Sequence, residues 1–259
     1  SLINLGVGLF DKAPYKHVIV NGLVLAESGK KLSKSEKNYT DPMILVEKYG
    51  ADSVRYFLLN SPVVKGESVE FHDMGVEEVY KKLIVRLENV ASLYEMYKEG
   101  EFGELLEISS RAHILDRWIV SRLHQLVRDS TKGYENCALD EAVRGVEGFI
   151  DDLSVWYTRR SRDRLKGDTG EEDRVLAEET LTYVLQTLAK VIAPSMPFLA
   201  ERLYKITGGT SESVHLTAWP KEGAVDEKSI SDMNQTRDIV SNGLMKRIEV
   251  KIPVRQPLA

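Results

Sequence analysis

Cysteine is nearly absent. A single residue, Cys137, in 259 excludes an internal disulfide and a cysteine-built zinc site, and points to a reducing compartment without a structural metal. Cys137 itself reads as a small buried apolar side chain. Long apolar runs are missing too: no stretch approaches the roughly 20 residues that a membrane-spanning helix requires, and the N-terminus lacks the basic-then-apolar order of a secretory signal. A cytoplasmic location with no membrane partner is expected. The chain also has no excess of positive charge. Lys and Arg number 35 against 40 Asp and Glu, giving a net charge of −5. A protein that coats nucleic acid indiscriminately is thereby excluded, and any RNA contact must be a local basic patch on an acidic body. Internal repeats and low-complexity tracts are lacking as well.

What is present is a globular composition, 42% hydrophobic and 29% charged, enough for one large domain or two ordinary ones. Val18 to Leu25 is β-branched and apolar around Asn21-Gly22 and reads as strand, with the Asn-Gly pair suited to a tight turn. A loop with Lys30, Lys31, Lys34 and Lys37 comes next. Asp41-Pro42 is a helix-start signal, and the short helix it opens is closed by Gly50. A second helix spans Ala51 to Asn60. Ser68 to His72 alternates as a short strand before Gly75 opens a long helix with Val76, Val79, Leu83, Leu87, Val90 and Leu93 or Tyr94 on one stripe. From about residue 110 the pattern is wholly helical: Ile114 to Tyr134, Leu139 to Leu165, Glu171 to Ala193 and a shorter helix from Phe198 to Ile206. Short connections between long amphipathic helices predict antiparallel neighbours. The expected fold is mostly α: a small N-terminal α/β subdomain over 1–100, an antiparallel helical bundle over 101–222, and a further extension over 223–259.

The chemistry concentrates in two places. KLSKS, Lys31 to Ser35, sets two lysines three apart beside two hydroxyls on a loop after a strand, equipment suited to a polyphosphate. Five such residues alone are more often a solvated hairpin end. The second place is a helix end carrying Arg159, Arg160, Arg162, Arg164 and Lys166 beside Trp156 and Tyr157; guanidinium groups clamp phosphates and aromatic rings stack on unpaired bases. Here too a plainer reading stands, since Trp156 continues the buried stripe and arginines complement a helix C-terminus. Arg117 and Arg122 are further candidates. His72 beside Asp73 reads as a strand end, and the aromatic pairs Tyr94/Tyr97 and Phe198/Tyr204 as core or helix surface.

KLSKS resembles the KMSKS signature loop of class I aminoacyl-tRNA synthetases in four of five positions. The continuation KNYTDPMILVEKYGADSVRYFLLNSPVV, Lys37 to Val64, is similar to the segment after that signature in the isoleucine, valine and leucine enzymes. Asn38 to Pro42 and Leu59 to Phe71 resemble isoleucyl-tRNA synthetase of the eukaryotic and archaeal type. LDRWIVSRL, Leu115 to Leu123, and IDDLSVWYTRRSRDRL, Ile150 to Leu165, look like the family's anticodon-binding helical domain.

The resemblance implies that Lys31, Leu32, Ser33, Lys34 and Ser35 bind ATP, with Mg²⁺ as its companion. It assigns the second lysine, Lys34, to the triphosphate during amino-acid activation, with Lys31 beside it and Ser33 helping to fix the loop and the phosphates, and isoleucine and its tRNA are the implied partners. Leu32 stands where the family has Met, a swap that packing tolerates. None of His17, His72, His113, His124 and His215 lies in the family's His-x-Gly-His element, so that element and the editing domain are expected to precede Ser1, and the chain alone is expected to be inactive. A valine or leucine enzyme, or a noncatalytic RNA-binding helical module, stays open as an alternative.

Overall fold

The computed structural model describes residues 1–33, 38–105, 107–109 and 111–256. Helix α1, Leu2–Phe10, opens the chain and leaves Leu2, Leu5, Leu9 and Phe10 exposed. The strand expected over 18–25 shrinks to β1, Val24–Leu25. Asn21-Gly22 forms no hairpin turn. It is instead the point at which the chain crosses the segment before β2. Gly22 N donates to Val63 O at 2.7 Å, and a Cβ on Gly22 would fall 1.7 Å from Glu67 O, so only glycine fits there. Next come α2, Pro42–Tyr49, and α3, Ala51–Leu59. A 3₁₀ turn, Pro62–Lys65, leads to β2, Val69–Glu70, which pairs in parallel with β1. Helix α4, Asp73–Val79, starts two residues before Gly75, which lies inside it because the Phe57 ring fills the space a Cβ would need, 2.4 Å away. A π-helical stretch, Tyr80–Ile84, carries α4 into α5, Val85–Tyr97.

The stripe on this composite helix serves two cores. Val76 joins Leu45 and Tyr49 in a small cluster backed by the edge-to-face pair Phe57 and Phe71. Leu83, Leu87, Val90 and Tyr94 enter the large core of the bundle. That bundle begins with α6, Ile114–Glu135, and α7, Leu139–Asp151. The helices approach closely at Gly133, where a Cβ would lie 2.5 Å from Ala142 Cα, and Ser130 Oγ donates to Ala142 O at 2.7 Å. Cys137, in the turn between them, adopts φ 55° and is half-exposed, contrary to the expected burial. The single helix expected from Leu139 to Leu165 is interrupted by a π-helical stretch, Asp152–Tyr157, then α8, Thr158–Arg160, and a break at Ser161 before α9, Arg162–Leu165.

Helices α10, Glu171–Ile192, and α11, Pro197–Ile206, complete the antiparallel set. The segment from Glu99 to Leu105 is laid along α10 by two polar side chains that have little contact with water. Glu178 accepts from Glu99 N and Gly100 N at 2.9 and 2.8 Å, and Gln186 accepts from Leu105 N at 2.9 Å while donating to Thr207 O at 2.9 Å. After a 3₁₀ turn, Val214–Leu216, the chain crosses α6. Trp219 Nε1 donates to Thr131 Oγ1 there, and the His124 ring bonds Ala224 O and Tyr183 Oη. Helix α12, Glu227–Glu249, folds back on α6 and buries Ile230. No helix is long and apolar enough to cross a membrane among the described residues.

A buried ion pair locks the bundle. Asp116, at the start of α6, is fully buried and receives both terminal nitrogens of Arg164, at 2.7 and 2.8 Å. Tyr157 Oη donates to it at 2.8 Å and His113 N at 2.9 Å, while Arg164 Nε reaches Asp173 at 2.8 Å. Burial, and then the adjacent Asp116 charge, push the Tyr157 hydroxyl well above its ordinary pKa, so it stays a donor. Burial works against the Arg164 charge, but its bonds to Asp116 and Asp173 outweigh that and raise it.

Removing one partner leaves a charge buried and alone, so Asp116→Ala is expected to cost about 3–5 kcal/mol. Arg162→Ala on the exposed face should cost within about 0.5 kcal/mol. Urea unfolding of both variants measures this, and a loss below about 1 kcal/mol for Asp116→Ala would refute the lock. Gly133→Ala would ordinarily favour a helix by about 1 kcal/mol. Here the clash with Ala142 predicts the opposite sign, a lowered denaturation midpoint.

Candidate functional site

The first candidate region grows from β1. Parallel pairing with β2, Val69 N to Leu23 O at 2.9 Å and Phe71 N to Leu25 O at 2.8 Å, fixes the strand. The chain then turns back through Gly29, φ 72°, with Ala26 N donating to Lys30 O at 2.8 Å and an antiparallel bridge between Leu25 and Lys31. Lys31 is therefore anchored by its backbone while its side chain is exposed; Leu32 and Ser33 are half-buried. No ion pair engages Lys31 among the described residues. Lys34 and Ser35 lie outside the described residues.

Asn38, on the far side of the loop, bonds the incoming limb twice: its Oδ1 accepts from Ser33 N at 2.9 Å and its Nδ2 donates to Lys31 O at 3.1 Å. Two residues on, Thr40 Oγ1 donates to Asp73 Oδ2 at 2.7 Å, and Asp41 caps α2 by accepting from Met43 N at 2.9 Å. A cationic side chain on a fixed base, beside hydroxyl and amide groups, suits the terminal phosphates of a nucleotide. His72, expected at a strand end, lies two residues beyond β2 at the start of α4 and faces Glu27 and Glu70 at 3.4 and 3.8 Å.

The second candidate region is the interrupted helix after α7. The π-helical stretch turns Asp152 inward, where it accepts from Arg122 Nε at 2.8 Å and from Arg237 of α12. It leaves Trp156 half-buried at the surface, its Nε1 directed at Met233 Sδ, 3.1 Å away. The Arg160 guanidinium stacks on the indole at 3.1 Å, and that of Arg237 lies 5.4 Å from the same ring. Burial, then the charges of Arg159 and Arg237, lower the pKa of Arg160, though it remains cationic.

The expected arginine patch is thereby sorted. Arg117, Arg159, Arg160 and Arg162 are exposed, and none enters an ion pair among the described residues. Arg164 does not belong with them: it is 5% exposed and committed to Asp116 and Asp173, and no phosphate can reach it. Arg122, half-buried, is likewise spent on Asp152. Arg237 escapes a reading of the sequence because it joins Trp156 from a distant helix, and a heterogeneous polar helix carries no signal for that contact.

A groove of about 700 Å³ alongside is lined by Lys82, Arg86, Arg122 and Arg144 among others. Its cations are neutralised in place: Arg86 meets Asp151, Arg122 meets Asp152, Arg144 meets Asp140 and Lys82 meets Glu78. The groove, to which α12 contributes Ile230 and Asn234, offers little free charge. Among the described residues no group of three or more His, Cys, Asp or Glu is placed to hold a metal ion.

Residues 1–70 match the family described as tRNA synthetases class I (I, L, M and V), and residues 116–259 match the anticodon-binding domain of tRNA ligase. The isoleucine–tRNA ligase of Chlamydia trachomatis serovar D is 42% identical over all of this chain, and that of Protochlamydia amoebophila is 38% identical. The chain spans 25% of the length of each. These relatives are bacterial, so they lend no support to the eukaryotic and archaeal type expected from Asn38 to Pro42 and Leu59 to Phe71.

Among solved structures, the LeuRS of Agrobacterium radiobacter, in a ternary complex with tRNA and LeuAMS, superposes with a TM-score of 0.63 at 21% identity, over 88% of this chain and 26% of that one. The methionyl-tRNA synthetase of Mycobacterium tuberculosis, bound by methionyl-adenylate, superposes with a TM-score of 0.55 at 23% identity, over 70% of this chain and 36% of that one. At those identities the superpositions speak for the fold. With the anticodon-binding match covering more than half of its residues behind a class I synthetase segment, the chain belongs to the anticodon-binding-domain family of tRNA ligases.

Proposed function

We propose that this chain is the part of an isoleucine–tRNA ligase that contributes the ATP-phosphate loop and the anticodon-arm contact to the charging of isoleucine tRNA, and that it is inactive by itself. The observation that carries the reading is the alignment of isoleucine–tRNA ligases with the whole chain at about 40% identity. Residues 1–100 are read as the end of the catalytic domain with a connecting subdomain, 101–222 as the anticodon-binding bundle, and 223–259 as the start of a C-terminal extension. A cytoplasmic setting is part of the proposal.

Amino-acid activation displaces pyrophosphate from the α-phosphate, and negative charge must be held on the leaving group as the carboxylate attacks. Lys31, exposed, fixed at its backbone and in no ion pair among the described residues, is suited to that task. Lys34 is proposed as its partner, and Leu32, Ser33 and Ser35 as the rest of the loop. Mg²⁺ accompanying ATP would supply further positive charge. At the other end, Arg117, Arg159, Arg160 and Arg162 are proposed to meet the tRNA backbone, with the Arg160 face on Trp156 offered to an unpaired base.

In the full-length ligase, Lys31→Ala is expected to lower isoleucine-dependent ATP–pyrophosphate exchange by about 10²-fold, the loss typical of one preorganised charge-stabilising donor. An unchanged rate would leave the loop without its role. Activation of valine at least as well as isoleucine would overturn the choice of amino acid. Binding of the chain to isoleucine tRNA over a salt series tests the second end. The wild type should show a steep slope, and Arg159→Ala and Arg162→Ala should each flatten it by about one unit. Arg160→Ala should also weaken binding by about 1–3 kcal/mol, and binding insensitive to all three substitutions would remove the patch from the interface.

A further inference from the structure

We propose that Asn38 is a positioning residue for the phosphate-binding loop: its side-chain amide clasps the loop neck and holds the backbone from which Lys31 projects. The inference rests on the reading of KLSKS as an ATP loop.

One side chain makes two bonds of opposite polarity to the incoming limb. Ser33 N donates to Asn38 Oδ1 at 2.9 Å, and Asn38 Nδ2 donates to Lys31 O at 3.1 Å. A carboxamide can accept and donate at once, which a carboxylate cannot. Both ends of the clasp are anchored elsewhere. The incoming limb is tied to β1 through the Leu25–Lys31 bridge and the bond from Ala26 N to Lys30 O. The outgoing limb is tied to α4 through Thr40 and Asp73, and to α2 through the Asp41 cap. Asn38 joins these two anchored limbs directly.

Holding Lys31 and Ser33 at the neck confines the directions in which their side chains can extend. Such confinement matters when the charge they answer exists only in the transition state, because reorganisation at that moment is what a preorganised site avoids. Asn38 is half-buried, belongs to neither hydrophobic cluster, and lies between regular elements, so its loss should not disturb packing.

The test uses the full-length ligase with Asn38→Ala and Asn38→Asp. The aspartate keeps size and shape and can still accept from Ser33 N, but it loses the donor to Lys31 O and opposes that carbonyl with a carboxylate oxygen. Both variants are expected to lower kcat for isoleucine-dependent ATP–pyrophosphate exchange by about tenfold or more, the scale of one or two hydrogen bonds felt in the transition state. KM for isoleucine, Tm and the Kd for tRNA should not change. Wild-type kcat in Asn38→Ala would overturn the clasp, and so would a fall in kcat accompanied by a raised isoleucine KM and a lowered Tm, the mark of general loosening. A wild-type ligase that fails to activate isoleucine would instead sink the underlying function and the clasp with it.

Discussion

A carboxylate with no access to water decides how this bundle is put together. Asp116 must replace its whole hydration shell with protein donors, and four converge on it: two from Arg164, one from Tyr157 and one from the backbone of His113. Those donors come from the N-terminus of α6, the end of the π-helical stretch and α9, and Arg164 extends the set to Asp173 in the first turn of α10. Satisfying Asp116 therefore fixes the mutual placement of three helices. It also explains the break at Ser161, whose φ of −90° and ψ of 1° take the chain out of helical course so that Arg164 turns inward. The arginine run 159–164 is split by that turn into one buried lock and three exposed cations.

A second set of polar contacts fastens the N-terminal segment to the bundle. Asp52 of α3 accepts from Leu199 N at 2.7 Å and so caps α11 from outside its own sequence, while Arg55, one turn later, donates to Pro194 O and Ser195 O beyond the end of α10. Tyr56 Oη, beside them, donates to Val143 O of α7. Burial raises the Asp52 pKa, and its two backbone donors and Arg55 work against that rise. Because α3 packs against both α2 and α4, which hold the outgoing limb of the lysine loop through Asp41 and Asp73, the loop base and the bundle form one continuous body. The Trp156 patch sits on that same body, with the Asp152–Arg237 contact adding α12.

Features set by contiguous sequence were legible, and those set by tertiary pairing were not. The stripe Leu115, Trp118, Ile119, Leu123, Leu126, Val127 announces α6 because helical spacing alone brings these residues to one face, and all but the half-buried Leu115 are buried. Asp41-Pro42 announces α2 because a cap is a local bond. Val18 to Leu23, by contrast, has the composition of a strand, but strand formation needs a partner edge, and β2 offers one only at Val69 and Glu70. Residues 139–165 keep a helical period straight through Ser161, so no pattern betrays the break that the buried Asp116 imposes. In the site, residue types picked out Lys31 and the arginines. The two-sided bond of Asn38 and the exclusion of Arg164 depend on where donors point, which composition does not encode.

The placement of charge resolves how a chain with net charge −5 could hold a polyanion in the proposed role. An arginine bound to a carboxylate presents a dipole to its surroundings, and its field is largely cancelled within a Debye length. Arg86, Arg122, Arg144, Arg174, Arg202 and Arg237 are all spent in this way, fastening one element to another or bracing a helix. Among the described residues Arg117, Arg159, Arg160 and Arg162 are not, nor is Lys31 at the other end. The total charge is thus a poor guide, since much of it is internally compensated. The cations at these two separate places are among those left uncompensated, and there Asn38 and the Asp116 lock, respectively, fix the backbone that carries them.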